Sequence, residues 1–256
     1  MTHPAYEVRR EVSPTASVVL ENNPSTMTLD GTNTWILGAP GARECVIVDP
    51  GYRDLDHLTL LTQQGPVALI LLTHHHPDHT EGAPWLAEQV QAPVRALDAA
   101  LCRDAAPFAD GDVISAAGLD IEVVHTPGHT ADSVCFRVGD QVLTGDTILG
   151  RGTTVLTDLG AYLDTLRKLI ELPSGLLALP GHGPELADVQ VVAQEYLDHR
   201  EQRLDQVRKA LETLGPDATA RQVVEIVYAD VDKALWTPAE HSVNAQLQYL
   251  RSTRTR

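Results

Sequence analysis

The segment Thr73–His79 constrains this chain more than any other part of its sequence. It reads Thr-His-His-His-Pro-Asp-His and directly follows Val67–Leu72, a continuously apolar run typical of a strand buried on both faces. Imidazole nitrogens and carboxylate oxygens are ligands that zinc prefers, and a loop at a strand end can direct several of them to one point. We therefore expect a metal site here. A solvated polar loop with a chance run of histidines is the competing interpretation.

The three consecutive histidines are not equivalent. In an extended backbone, His74 and His76 leave the chain on the same side, and His75 points to the opposite side. We expect His75 to face away from the site.

Three later loops each contain one further residue of a metal-ligating type. Each follows a predicted strand and lies beside a glycine, which permits close approach of the backbone. A single histidine in a loop is more often a surface residue, so each loop is a weak signal alone. With the four candidates of the Thr73–His79 segment they make seven ligands, enough for two metal ions bridged by one carboxylate. The three residues are His129, Asp146 and His182.

The remaining pattern predicts a mixed fold, either α/β or α+β, with polar motifs at strand ends. Besides Val67–Leu72, the predicted strands are Thr34–Leu37, Cys45–Val48, Leu119–Val124, Ser133–Val138, Gln141–Thr144 and Leu176–Leu179. Helices are predicted at Asp54–Gln64, Ala83–Gln91 and Leu159–Ile170.

The character of the chain changes near residue 190. A long amphipathic helix over Val192–Leu214 is stopped by Gly215 and Pro216, and helices follow at Ala220–Ala229 and Pro238–Arg251, the last capped by Thr237. We predict a catalytic domain over residues 1–190 and a small helical domain over residues 191–256.

Composition limits the partners and the compartment. The net charge is −16, of which −15 falls within residues 1–190, and this disfavours RNA or any other polyanion as a partner. No apolar run approaches the roughly 20 residues that span a membrane. Three cysteines without CxxC spacing, and no apolar signal segment in residues 1–12, predict a cytoplasmic protein. The oligomeric state stays open.

The order of these motifs resembles the metallo-β-lactamase superfamily. The resemblance rests on His-x-His-x-Asp-His at 74–79, then His129, Asp146 and His182, with Asp49-Pro50-Gly51 upstream. It implies an α+β fold, an αββα sandwich in which two mixed sheets pack face to face with helices outside, and metals at one edge.

The resemblance also implies a role for each residue. His74, His76 and His129 would bind one metal, and Asp78, His79 and His182 the other. Asp146 would bridge the two, and Asp49 would orient the ligand loop. Two zinc ions are implied, although other divalent metals are possible.

The implied activity is hydrolysis of a small ester, thioester or amide by a hydroxide that bridges the two metals, with Asp78 as the candidate base. True zinc β-lactamases commonly have cysteine at the position of Asp146, so antibiotic hydrolysis is not expected. Diiron flavoproteins of the superfamily carry glutamate at the position of His76, which favours zinc. The spacings leave no room for the inserted domain of the β-CASP nucleases.

Two stretches resemble the group of the superfamily that includes β-lactamase-like protein 2. They are Asn23–Trp35 and Tyr196–Arg200, the second leading into a winged-helix-like C-terminal domain. Thr32 and Asn33 could then touch substrate, and His199 and Arg200 are interpreted as structural anchors of the long helix. The group suggests an alternative function, a single-strand endoribonuclease. A third hypothesis makes the C-terminal domain a nucleic-acid or protein adaptor.

Overall fold

The fold is built on two mixed β-sheets that pack face to face, as expected for an αββα sandwich. The computed structural model describes residues 5–254; residues 1–4, part of the N-terminal segment considered above, and residues 255–256 lie outside the description. The first sheet contains six strands in the order in which they occur along the chain. They are β1 (Arg10–Ser13), β2 (Ala16–Leu20), β3 (Asn33–Leu37), β4 (Cys45–Val48), β5 (Val67–Leu71) and β6 (Val94–Arg95).

The second sheet contains five strands, with the last strand of the chain at one edge, in the order β11-β10-β9-β8-β7. Gly139 and Asp140 join β9 to β10 in a two-residue hairpin, with Val138 opposite Gln141. The strands are β7 (Val113–Ala116), β8 (Leu119–His125), β9 (Val134–Val138), β10 (Gln141–Gly145) and β11 (Leu177–Pro180).

Helices cover the outer faces of both sheets and form the C-terminal part. The first turns of α1, α4 and α5 are capped by Asp54, Asp158 and Asp188, and Thr219 makes a capping box with Gln222 at α6. The helices are α1 (Leu55–Thr62), α2 (Pro77–Thr80), α3 (Ala83–Val90), α4 (Leu159–Ile170), α5 (Val189–Leu214), α6 (Ala220–Val227) and α7 (Trp236–Arg254); single 3₁₀ turns lie at Ala99–Leu101 and Lys233–Leu235.

The predicted elements are present with small differences at their ends, and some elements were not foreseen. Strands β1, β2, β6 and β7 lacked a clear alternation in the sequence, because edge and fully buried strands do not show one. The last helix was predicted wrongly at its start. Asp232 caps the 3₁₀ turn that runs directly into α7, so Thr237 and Pro238 lie inside the first turn of the helix.

Three clusters of buried side chains hold the layers together. One lies between the two sheets and includes Trp35 and Phe136, and a second packs α1 and α3 against the first sheet. The third joins the outer face of the second sheet to α4 and continues without a break into α5, α6 and α7. The two predicted domains, which meet between residues 190 and 191, therefore share one hydrophobic core. The domain boundary stays a prediction.

None of the helices in residues 5–254 has the length and apolar character that a membrane crossing would require.

Candidate metal centre

The seven candidate ligands come from loops that leave the two sheets at a common edge. Strand β4 pairs parallel with β5, and β10 pairs parallel with β11. Strand β8 runs in the same direction as β10, because both are antiparallel to β9. The carboxyl ends of these strands therefore meet at one edge, and a hydrogen bond from Val134 N to Thr73 O, 2.9 Å long, ties the two sheets together there.

Three histidines form the first group, which we call the three-histidine cluster: His74, His76 and His129. His76 Nδ1 lies 3.0 Å from His74 Nε2 and 3.0 Å from His129 Nε2. Carboxylate oxygen Asp146 Oδ2 lies 3.7 Å from His129 Nε2. Four potential ligand atoms therefore converge on one point, as a metal site requires.

Asp78, His79 and His182 form the second cluster. His79 Nε2 and His182 Nε2 lie 3.2 Å apart, and Asp78 Oδ2 lies 3.1 Å from His182 Nε2. Asp78 and His79 are on the one-turn helix α2, which Pro77 begins. His182 follows β11.

For three of the histidines, the nearby hydrogen-bond acceptors show which ring nitrogen carries the proton and which is unprotonated. His129 Nδ1 lies 2.7 Å from Val155 O, and His182 Nδ1 lies 3.0 Å from Gly31 O. His79 Nδ1 lies 2.9 Å from Asp49 Oδ2. Carbonyl and carboxylate oxygens only accept, so each Nδ1–H donates and each Nε2 presents a lone pair to the cluster.

Facing lone pairs and an unpartnered oxygen indicate a cation site. His79 Nε2 and His182 Nε2 cannot hydrogen-bond to one another while both rings are neutral and both Nδ1 atoms donate. Asp146 Oδ1 is buried without a hydrogen-bond partner, 3.5 Å from His79 Nε2 and 3.4 Å from His182 Nε2. A buried carboxylate oxygen without a donor is costly, and a divalent cation between these atoms would satisfy all of them.

Electrostatics separate the two clusters. Burial lowers the pKa of His74, lowers that of His76 to about 4 and lowers that of His129, so these rings are neutral, as metal ligands must be. Burial would also lower the pKa of His79 and His182. The carboxylate of Asp146, together with Asp49 beside His79 and Asp78 beside His182, outweighs burial. The pKa of His79 is therefore raised well above its usual value and that of His182 to about 9. The second cluster therefore attracts positive charge.

Asp146 lies between the two clusters. Its Oδ2 faces the three-histidine cluster and its Oδ1 faces the second cluster. Burial would raise the pKa of this carboxyl, but His182 and His79 hold the pKa well below its usual range, so the group is ionised.

Asp49 holds the ligand loop in place. It ends β4 in a left-handed conformation, with φ of +53°. Its carboxylate accepts hydrogen bonds from Thr73 N (2.8 Å), Thr73 Oγ1 (2.6 Å) and His79 Nδ1 (2.9 Å). Asp49 therefore links the loop that carries His74 to His79, and the orienting role that the resemblance implies for it stays a prediction.

His75 faces away from both clusters, as the parity of the chain predicted. Its side chain is half exposed, and its Nδ1 lies 2.6 Å from Asp132 Oδ1. The prediction assumed an extended strand, whereas the backbone at His75 is a bend. The side chain nevertheless points away from the clusters.

Thr32 and Asn33 lie beside the centre but are committed to other contacts. Asn33 Nδ2 donates to Pro180 O and Gly183 O, and Thr32 forms a β-bridge with His182. Both residues are buried. Their observed role is to position the loop that carries His182, and contact with substrate stays an untested prediction.

Two supporting groups were missed in the sequence. Thr154 Oγ1 lies 2.9 Å from His129 Nδ1, and Val155 O accepts from the same nitrogen. Both lie in the loop between β10 and α4, where no motif marks them.

Comparison with known proteins agrees with the motif pattern. Residues 27–182 match the profile of the metallo-beta-lactamase superfamily. The chain belongs to the metallo-β-lactamase superfamily. Residues 219–253 match the beta-lactamase associated winged helix domain, which confirms the prediction for the C-terminal part. Membership makes the chain a metal-dependent hydrolase, and the fold implies binding of divalent metal.

Three relatives show how far the likeness extends. The chain is 34% identical to the beta-lactamase-like protein 2 homolog of Drosophila melanogaster, covering 92% of this chain and 88% of the relative. It is 32% identical to the atrochrysone carboxyl ACP thioesterase of Aspergillus fumigatus, covering 89% and 79%. A crystal structure of a beta-lactamase domain protein from Burkholderia ambifaria superposes with a TM-score of 0.83 at 23% identity, covering 98% and 90%, and supports the fold.

Proposed function

We propose that this chain is a dinuclear-zinc hydrolase that cleaves an acyl bond in a small substrate, with thioesters favoured over esters and amides. The observation that carries the proposal is Asp146, whose two carboxylate oxygens face two separate groups of ligand-type atoms. Only three or four protein ligands serve a single catalytic zinc, whereas seven converge here.

In this proposal most of the seven residues bind metal, and one of them also transfers a proton. When bound, divalent ions supply activated water and a Lewis acid at neutral pH. His74, His76 and His129 would hold one ion, the second cluster the other, and Asp146 would contact both. Nitrogen and oxygen donors without sulfur suit zinc, and they also accept other divalent metals.

Asp78 is the proposed proton carrier. Burial would raise its pKa, but the hydrogen bond with His182 and the charges of His79 and His182 together outweigh burial and lower the pKa, so the carboxylate is ionised at neutral pH. Its side chain remains 14% exposed at the centre. Asp78 Oδ2 can therefore accept a proton from the attacking water and return it to the leaving group.

Two observations favour an acyl substrate. One relative is named as a thioesterase of an acyl carrier protein, over 89% of this chain. The exposed surface of the cleft that opens beside His129 and Asp146 is mostly apolar, which suits an acyl group.

The test compares two neighbouring histidines. His76→Ala removes a proposed ligand. His75→Ala removes the side chain of the preceding residue, which is half exposed and contacts Asp132. We expect zinc-loaded wild type and His75→Ala to hydrolyse thioesters with similar kcat/KM, and His76→Ala to lose activity and about one zinc per chain. Equal activity and equal zinc content in all three proteins would refute the proposal.

A short single-stranded RNA in the same assays tests the alternative endoribonuclease. Two results together would establish the alternative. RNA cleavage would depend on metal and be faster than turnover of any acyl substrate, and a plot of log rate against log salt concentration would have a slope of about −0.7 for each phosphate contacted. We expect at most slow cleavage, because residues 1–190 carry a net charge of −15.

A further inference from the structure

A cleft of about 380 Å³ runs from the metal centre to the C-terminal helices. His129 and Asp146 form one end of it, and the other wall belongs to α5 and to the segment leading into α7. Its size is within the range of small-molecule sites, roughly 300–1,000 Å³. The cleft therefore places helical residues opposite the ligand atoms.

Two arginines on the wall formed by α5 carry positive charge in an otherwise acidic protein. His199, Arg200 and Arg203 line the cleft, and Arg203 lies about one turn along the helix from the other two, four residues after His199 and three after Arg200. We call these three residues the α5 wall. The sole acidic residue among the described side chains lining the cleft is Asp146, which belongs to the metal centre.

Arg200 is a buried charge that has no carboxylate partner among the described residues. It is 3% exposed, donates from Nη2 to Thr154 O, and lies over the ring of Tyr162 at 5.4 Å. Its Nε has no hydrogen-bond partner, and no carboxylate pairs with it within residues 5–254. Burying an unpaired guanidinium is costly, so its retention needs a reason beyond packing.

The other two residues of the α5 wall are a half-buried arginine and a half-buried histidine. Arg203 stacks on Tyr228 at 4.7 Å and donates to Gln206 Oε1 and Val227 O, and it has no carboxylate partner in the described part of the chain. His199 Nδ1 is buried without a partner. Arg151, across the cleft, is different because Asp30 neutralises it through two hydrogen bonds.

Apolar side chains fill the space between these charges and the rim. Met27 and Leu235 line the cleft and are 52% and 41% exposed. Exposed apolar groups beside a concave site mark a surface that a ligand covers.

We propose that the α5 wall binds an anionic group at the far end of an apolar acyl substrate whose reactive carbonyl lies at the metal centre. The substrate class is therefore an acyl ester or thioester with an aliphatic or aromatic body and a remote carboxylate or similar anion. Arg203 contacts the anion at the cleft, and Arg200 supplies buried positive charge behind it. This inference rests on the proposed acyl hydrolysis for the orientation of the substrate.

The kinetic test uses monothioesters of dicarboxylic acids with acyl chains of four to ten carbons, each paired with its neutral terminal amide. We expect wild type to have a KM at least about tenfold lower for the acid than for the amide at the best chain length, as one charge-assisted contact provides. Arg203→Gln should abolish this preference by raising the KM of the acid to that of the amide. Arg208→Gln is the matched control, since Arg208 is on the same helix but exposed and paired with Asp205.

A binding measurement separates this inference from the proposed function. The fluorescent probe 8-anilinonaphthalene-1-sulfonate joins an aromatic body to an anion that binds zinc poorly, and N-phenyl-1-naphthylamine is its neutral counterpart. We expect Arg203→Gln to weaken binding of the sulfonate about tenfold without affecting the neutral probe, and Arg208→Gln to change neither. This result is expected even if no acyl substrate is turned over, in which case the proposed function alone fails.

Two outcomes would overturn the inference. One is an equal KM for acid and amide together with equal sulfonate binding in wild type and Arg203→Gln. The other is a purely structural role for Arg200. In that case Arg200→Gln would lower Tm and would lower kcat equally for acid and amide, and the preference for the acid would remain. Arg200→Lys would then restore Tm without any change in selectivity.

Discussion

Replacing Asp49 with asparagine keeps the shape of the side chain and removes one acceptor oxygen. The carboxylate accepts three hydrogen bonds, from Thr73 N, Thr73 Oγ1 and His79 Nδ1. If the asparagine carbonyl keeps the bond from Thr73 N, its amide NH2 faces the other two donors. The Thr73 hydroxyl can rotate and accept, but the Nδ1–H of His79 cannot.

The consequence for metal binding differs between the clusters. His79 must move its proton to Nε2 or lose its partner, and either change removes or misdirects the lone pair in the second cluster. Loss of such an orienting partner typically costs about 10–100-fold in metal affinity, or about 1.4–2.7 kcal/mol. We expect the upper value at the second cluster. The three-histidine cluster is linked to Asp49 indirectly, through Thr73, whose Oγ1 lies 3.0 Å from His74 Nδ1, so we expect about a tenfold loss there.

The assay is competition for zinc with a chelator at pH 7, which resolves two successive dissociation constants. Asp132→Asn is the matched control, because Asp132 is also a carboxylate paired with a histidine of the same loop, at 2.6 Å from His75 Nδ1. Wild-type affinity for both zinc ions in Asp49→Asn, or equal loss in the two variants, would refute the reasoning.

Three other predictions concern packing and pH. In Gly181→Ala the new Cβ would lie 2.8 Å from Asp146 Oδ1, so we expect loss of zinc by elemental analysis with secondary structure retained by circular dichroism. Burial raises the pKa of Glu21 to about 7, so the folded state binds this proton more tightly than the unfolded state, and stability falls as pH rises from about 4.5 to 7. Urea titrations should show that Glu21→Gln lacks this decline, and parallel profiles would contradict it. Leu166 is fully buried, so Leu166→Ala should lower the free energy of unfolding by about 2–5 kcal/mol. Thermal unfolding should remain a single transition at a lower Tm, and two separate transitions would show that the C-terminal helices unfold independently.

Much of the sandwich could be predicted because its central strands are short apolar runs punctuated by glycine, proline and aspartate. Val67–Leu71 and Cys45–Val48 agree with their predicted bounds to within one residue. Edge strands such as β1 could not be predicted, because exposed and half-buried positions in Arg10–Ser13 follow no regular alternation. The start of α7 was missed because a capped 3₁₀ turn continues into it without a break.

The ligand-type residues could be found because metal binding requires rare residue types at a fixed spacing. What the sequence could not show is the set of groups that orient them. Thr154 and Val155 act on His129 through a hydroxyl and a backbone carbonyl, and any residue has a backbone carbonyl. Arg200 looked structural because the absence of a carboxylate around it becomes visible only when α5 and the loop at Thr154 are placed together.

The core shared by α4 and α5–α7 has a consequence for how such chains diversify. Leu159, Tyr162, Leu163, Leu166 and Leu169 of α4 belong to the same buried cluster as the C-terminal helices. A superfamily member without those helices would leave part of this stripe in water, and it must carry polar residues there or cover it in another way. Gain or loss of the C-terminal segment therefore has to be accompanied by substitutions within α4, over 20 residues earlier in the chain. The width of the apolar stripe on this one helix should reveal, from sequence alone, which relatives carry a helical partner at this position.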